Sequence, residues 1–152
     1  MKPVKQLRTH RADVMISSTS QDLLEHRNSI QNAIWRVGMF PLAMERDETV
    51  PDADAISYSL NMVDEAEVYL GIFGMRYGYV PNDSRNPAQK SITEMEYRRA
   101  LERNIPMLLF IMSENHELIP QYVETDPDNL LKLNTLKSEL RRNHIVSFFD
   151  SV

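Results

Sequence analysis

The stretch Ser91-Ile-Thr-Glu-Met-Glu-Tyr-Arg-Arg-Ala100, followed closely by the apolar run Ile105-Pro-Met-Leu-Leu-Phe-Ile-Met112, decides the fold. Ser91 with Glu94 three residues later is the pattern of a capping box, so a helix starts there. The apolar run has strand length, and a strand entered from a helix is half of a β-α-β unit with parallel strands. Two carboxylates, Glu94 and Glu96, then fall on the first turns of a helix beside a parallel strand. In open α/β sheets the crevice at strand ends and helix starts is where ligands bind. Acidic residues also suit the positive end of any helix, so the pattern has an ordinary structural reading too. A two-residue step turns a helical side chain through most of a half circle, so one of the two is expected to face the crevice.

Upstream, the same alternation repeats. Residues 1–11 are polar and read as a flexible lead-in, and Ala12 to Ser17 reads as a short buried strand. Ser18-Thr19-Ser20 is a hydroxyl-rich turn and a plausible cap for an amphipathic helix over Gln21 to Val37, which Gly38 ends. Met39 to Met44 is a second strand, with Pro41 marking an edge, and Glu45 to Asp54 is an acidic loop. A helix over Ala55 to Asp64 leads into Ala66 to Phe73, an apolar strand suited to the centre of a parallel sheet. Gly74 to Lys90 is a long loop. Past Met112, Glu117 to Tyr122 is a loop or short helix, Asn129 to Arg142 a helix, and His144 to Phe149 the last strand. The expectation is an α/β domain over residues 12–152, a three-layer sandwich with a five-stranded parallel sheet. A final strand with no helix after it suggests the N-terminal part of a longer multidomain protein.

Composition narrows the function. A chain of 152 residues with 42% hydrophobic and 26% charged residues is one ordinary globular domain. Its longest apolar runs are too short to cross a bilayer, so no membrane partner is expected. Lys2, Lys5, Arg8 and Arg11 precede no apolar signal-peptide core, which makes the cytoplasm the expected compartment. Without cysteine, disulfides and thiolate metal sites are excluded. A net charge of −5 argues against a nucleic-acid partner. Arg98-Arg99 and Arg141-Arg142 read as solvated helix faces. The four glycines fit neither phosphate-binding spacing, no serine-hydrolase elbow occurs, and no cofactor or metal is expected. His10, His26, His116 and His144 share no ligand spacing and are expected to face solvent.

What remains is a convergence at the C-terminal ends of the strands. The first strand delivers Ser17, Ser18 and Thr19. The third delivers Gly74 and Arg76-Tyr77-Gly78, and the next helix presents Thr93 and Glu96. A buried carboxylate among hydroxyls and an aromatic ring could stabilise positive charge developing on a sugar carbon, or attack it. Tyr77 packed under a loop and Arg76 in a surface ion pair are the ordinary alternatives.

Four ordered blocks carry a resemblance. Val14-Met-Ile-Ser-Ser-Thr-Ser-Gln-Asp-Leu-Leu-Glu-His-Arg27, Met44-Glu45, Gly71-Ile-Phe-Gly-Met-Arg-Tyr-Gly78 and Ser91-Ile-Thr-Glu-Met-Glu-Tyr97 with Ala100 resemble the domain-of-unknown-function family 4062. His26 and Glu67 stand where more typical acidic residues, Glu and Asp, are expected. The resemblance implies a flavodoxin-like, TIR-like fold. It also implies a place at the N-terminus of signalling or antiphage-defence proteins that continue into an NTPase or a repeat module. Separately, Thr93-x-x-Glu96-x-x-x-Ala100 before an apolar strand is similar to the nucleoside 2-deoxyribosyltransferase pattern, whose glutamate is the nucleophile. TIR enzymes place a glutamate on the corresponding helix and cleave the nicotinamide–ribose bond of NAD.

Carried over, these similarities imply Glu96 as the catalytic carboxylate, with Thr93 beside it and Ser17, Ser18, Thr19, Arg76 and Tyr77 binding substrate. Ile92 and Tyr97 replace the transferase glycines, and the TIR tryptophan is absent. The expected function is hydrolysis of the N-glycosidic bond of NAD or a related nucleotide, with self-association as in TIR-like enzymes. The alternatives are a non-catalytic adaptor for protein–protein contact and a nucleotide sensor without turnover.

Overall fold

The computed structural model describes residues 10–43 and 54–152. The expected lead-in (apart from its last residues), the Met44-Glu45 block and nearly all of the acidic loop lie outside them. The elements run β1 (Asp13–Ser18), α1 (Leu24–Arg36), β2 (Phe40–Ala43), α2 (Ala55–Glu65), β3 (Val68–Phe73), α3 (Ile92–Arg103), β4 (Met107–Met112), α4 (Pro127–Asn143) and β5 (Ser147–Phe149). A 3₁₀ turn, Pro120–Tyr122, lies in the connection before α4. All strand pairs are parallel, in the order β2-β1-β3-β4-β5. The sheet is therefore the expected five-stranded one, in a three-layer α/β fold with β3 at its centre and Pro41 on an edge strand. No described helix is long and apolar enough to cross a membrane.

The pleat divides the core. Val14 and Ile16 of β1 and Leu70 and Ile72 of β3 pack with Leu23 and Ile34 on the α1 side. Met15, Tyr69, Phe73, Leu109 and Ile111 face the other way, against Val63 of α2, Tyr97 and Ala100 of α3, and Leu136 and Leu140 of α4. One helix thus covers one face and three cover the other. On that second face Ser17 pairs with Gly71, the smallest couple in the sheet. A Cβ on Gly71 would come within 2.7 Å of the Phe73 ring and 2.9 Å of the Tyr69 ring, so only glycine lets both rings lean in.

Helix ends follow local chemistry, with two corrections. Asp126 caps α4 by accepting from the Asn129 N–H at 2.9 Å, and Pro127 occupies the first turn, so this helix begins two residues before the expected Asn129. Asn104 ends α3 in the left-handed region, and Gly38 does the same after α1. The start of α1 differs from expectation. Ser18-Thr19-Ser20 does not cap it; the helix begins at Leu24 without a side-chain cap, and residues 19–23 form a bent segment instead. Asp22 is thereby released from the helix. The Arg98-Arg99 pair is also not a purely solvated face: Arg98 bonds Glu94 and Glu139, and Arg99 bonds Asp64 of α2.

Candidate functional site

The order of strands reverses between β1 and β3, and in such sheets the crevice outside the strand ends opens at that point. Three chain segments meet there: the turn after β1, the loop after β3 and the first turns of α3. Gly78, at φ +96°, marks the junction. A Cβ placed on it would lie 3.0 Å from Thr19 Cγ2, 3.5 Å from Thr93 Oγ1 and 3.8 Å from Ser91 Cβ. Thr19, Thr93 and the loop are thus brought together as expected. Gly78→Ala should destabilise the fold by about 1–2 kcal/mol, because an L residue is disfavoured at positive φ and Thr19 would have to move. Urea denaturation checks this; an unchanged midpoint would show that the junction yields freely.

Glu94 and Glu96 are both buried, in different company. Ser91 Oγ accepts from the Glu94 N–H at 3.2 Å, which is half of the capping box. The Glu94 carboxylate takes the Tyr77 hydroxyl on one oxygen and the Arg98 guanidinium on the other, at 3.0 Å. Both its oxygens are engaged, so Glu94 ties α3 to the loop. Tyr77 is a ring packed under that loop, with its hydroxyl spent on Glu94; burial pushes its pKa up, and the Glu94 bond adds to this.

Glu96 lies on the stripe Thr93, Glu96, Tyr97, Ala100 that α3 presents to the sheet. It is 4% exposed, and its Oε2 has no hydrogen-bond partner. Burial lifts its pKa from 4.5 to about 7; the Ser17 hydroxyl and the charge of Arg27 offset part of that rise. Ser17 Oγ and Tyr69 OH are also buried without partners, so Ser17 eases the carboxylate from outside hydrogen-bond geometry. Native folds leave few such atoms, and a cluster of them calls for an explanation.

The remaining expected site residues separate. Ser18 donates to the Thr19 carbonyl at 3.0 Å and accepts from Arg27 at 3.0 Å, holding the end of β1. Arg76 donates to Gln21 Oε1 at 2.9 Å and, among the described residues, is in no ion pair; its charge lies near Asp22. Thr19 Oγ1 is buried and unpartnered.

Three charged groups at this edge were not singled out from the sequence. Arg27 on α1 is buried, as is Lys137 on α4, and Asp22 in the bent segment has both carboxyl oxygens buried without a hydrogen-bond partner. For Arg27 and Lys137 the helical position was the available signal: Arg27 stands one turn before Ile30 and two before Ile34, and Lys137 sits between the core leucines 136 and 140.

His26 corrects the expectation of solvent exposure. His116 Nδ1 donates to the Glu117 carbonyl at 2.7 Å, which leaves its Nε2 to accept from His26 Nε2–H at 3.0 Å. Burial, and then His116, lower the His26 pKa. The His26 ring borders an apolar pocket of about 180 Å³ lined also by Ile30, Ile72, Phe110 and Phe149, which contains none of the expected site residues. Among the described residues, no three His, Asp or Glu side chains are arranged to hold a metal ion.

No curated protein matches this sequence. The family model described as a domain of unknown function, DUF4062, matches residues 13–152, which include every element of the sheet and all of the edge just described. The chain belongs to the DUF4062 family.

Proposed function

We propose that this domain is a TIR-like effector that hydrolyses the N-glycosidic bond of NAD or a related nucleotide, in a cytoplasmic signalling or defence protein. The observation that carries the reading is Glu96: a carboxyl with one free oxygen, poised near neutrality by burial, at the switch point of a parallel sheet. A group with a pKa of about 7 exists in both protonation states at working pH. Its carboxylate form can stabilise an oxocarbenium ion, or bond to the anomeric carbon, as the C–N bond breaks and neutral nicotinamide leaves; water then adds to that carbon, displacing the carboxylate where it has bonded, and gives up a proton. Ser17 and Tyr69 supply hydroxyls beside it. Nothing in this scheme requires a cofactor beyond the nucleotide itself.

The test is nicotinamide release from NAD by concentrated protein, resolved by chromatography. Glu96→Gln should lower release by at least about a hundredfold, the scale of removing one transition-state-stabilising group. Release that persists in the variant would eliminate the mechanism. Clustering the domain artificially covers the case in which the site is completed by self-association.

A second reading, a non-catalytic adaptor, is favoured by a different observation. Trp35 and Phe40 meet edge to face at 5.0 Å beside the edge strand β2, and they are 47% and 40% exposed. Aromatic residues on an open edge suit protein–protein contact. Absence of any NAD turnover, with partner binding lost on Trp35→Ala, would favour that reading.

A further inference from the structure

The pleat sends Leu108, Phe110 and Met112 of β4 to the face that α1 shares, since Leu109 and Ile111 pack against the other three helices. α1 lies chiefly over β1 and β2, and among the described residues no second helix packs on that face. Leu108 is therefore 51% exposed, although its strand runs between two others. All-parallel sheets occur almost only with both faces covered. The half of this face over β4 and β5 is the part left open.

The apolar cavity of about 180 Å³ beside His26 opens on this half, with Ile72, Phe110 and Phe149 in its walls. The Phe149 ring stands 5.1 Å from that of His26 and 5.8 Å from that of His116, and His116 is hydrogen-bonded through both nitrogens. The wall is thus built before anything enters, which lowers the cost of binding. A dry cavity of about 150 Å³ holds a benzene ring, so this one takes a large apolar side chain. Leu108 lies outside the cavity, and a small molecule lodged there would leave it in water.

The border is acidic. Glu25 precedes His26, Glu114 and Glu117 bracket His116, and Asp150 follows Phe149; all four are exposed. Residues 28–35, 113–119 and 147–152 contain no lysine or arginine, and Arg27 is buried against Ser18. Two copies of this face would bring like charges together, so a second copy of the chain is a poor occupant. Both edges of β4 are already paired. An arriving segment finds no backbone partner on the face and must satisfy its own backbone groups, as a helix does.

We propose that this face is a docking groove for an amphipathic helix of another protein, which inserts a large apolar side chain into the cavity and meets the acidic border with lysines or arginines. A strand of six residues spans about 20 Å, the length of a helix of about 14 residues. The groove is independent of the Glu96 chemistry, because α3 lies on the opposite face.

The probe is a fluorescein-labelled, hydrocarbon-stapled helix of about 14 residues, with Leu and one Trp on one face and Lys on the other. It is titrated with the wild-type chain by fluorescence anisotropy and should bind. The same helix with Glu in place of Lys should bind at least about tenfold more weakly. Leu108→Ser removes apolar contact without adding charge and should weaken the Lys helix at least about tenfold, with circular dichroism confirming the fold. Glu114→Gln combined with Glu117→Gln should narrow the preference for Lys over Glu. No binding of the Lys helix, equal binding of the two helices, or full affinity in Leu108→Ser would each overturn the proposal. Sedimentation should show the wild-type chain as a monomer; a dimer that Leu108→Ser dissociates would also overturn it, by giving the face to a second copy.

Discussion

Glu96→Gln should be more stable than the wild type above pH 7, by about 3 kcal/mol, even though it loses the proposed activity. In the folded chain the Glu96 pKa is raised from 4.5 to about 7, chiefly by burial. Between those values the folded state holds a proton that the unfolded state has released. Stability therefore falls as pH rises from about 4.5, and the loss is complete once pH passes about 7. Glutamine keeps the shape and stays neutral, so the variant escapes this loss. Urea denaturation of both proteins at pH 4.5 and pH 8 checks it. The curves should coincide at the lower pH and separate at the higher one. Equal separation at both would mean that the glutamate is charged and well paired in the fold.

Lys137→Met should show a difference of similar size with the opposite pH course. Burial lowers the Lys137 pKa from 10.5 to about 8; the nearby Arg141 adds to this, and Asp22 opposes it. From about pH 8 to 10.5 the unfolded chain binds more protons than the folded one, so wild-type stability rises with pH through that window. Below pH 8 the buried ammonium costs about 3 kcal/mol, and methionine of similar length removes that cost. Thermal melts at pH 7 and pH 10 should give a higher Tm for the variant at pH 7 and a smaller gap at pH 10. Comparing the two proteins at each pH cancels the buried tyrosines, which titrate in both. A gap that does not narrow would show that the lysine remains charged throughout. Titratable groups perturbed at a cost in stability cluster at functional sites.

The strands were the most legible part of the chain, because their apolar runs have strand length and turns bound them. Val68–Phe73 and Met107–Met112 stand where the sequence places them, each two residues shorter at its start. The convergence of Thr19, Gly78 and Thr93 was also legible, since it follows from topology alone. What failed to show were contacts that depend on which way a polar side chain turns. Glu94 looked equivalent to Glu96 until Tyr77 and Arg98 were seen to occupy both its oxygens. The apolar periodicity makes Asp22 the second residue of a helix, and only the late start of α1 frees it to reach Gly74. Arg27 and Lys137 resemble ordinary solvated helix positions because periodicity marks apolar stripes and says little about a charge set within one. His26 was misplaced for the same reason.

The Ser17–Gly71 pairing also bears on how the molecule assembles. Val14 pairs with Val68 across more intervening chain than separates the partners of any other strand pair. Closing that contact carries the largest loop-closure entropy in the sheet. The segments β1-α1-β2 and β3-α3-β4 each contain shorter-range pairings and can collapse ahead of it. Neither segment alone sets Glu96 against Ser17. The seam between the two halves is the costliest closure in the sheet, and the proposed chemistry exists only in molecules that have completed it.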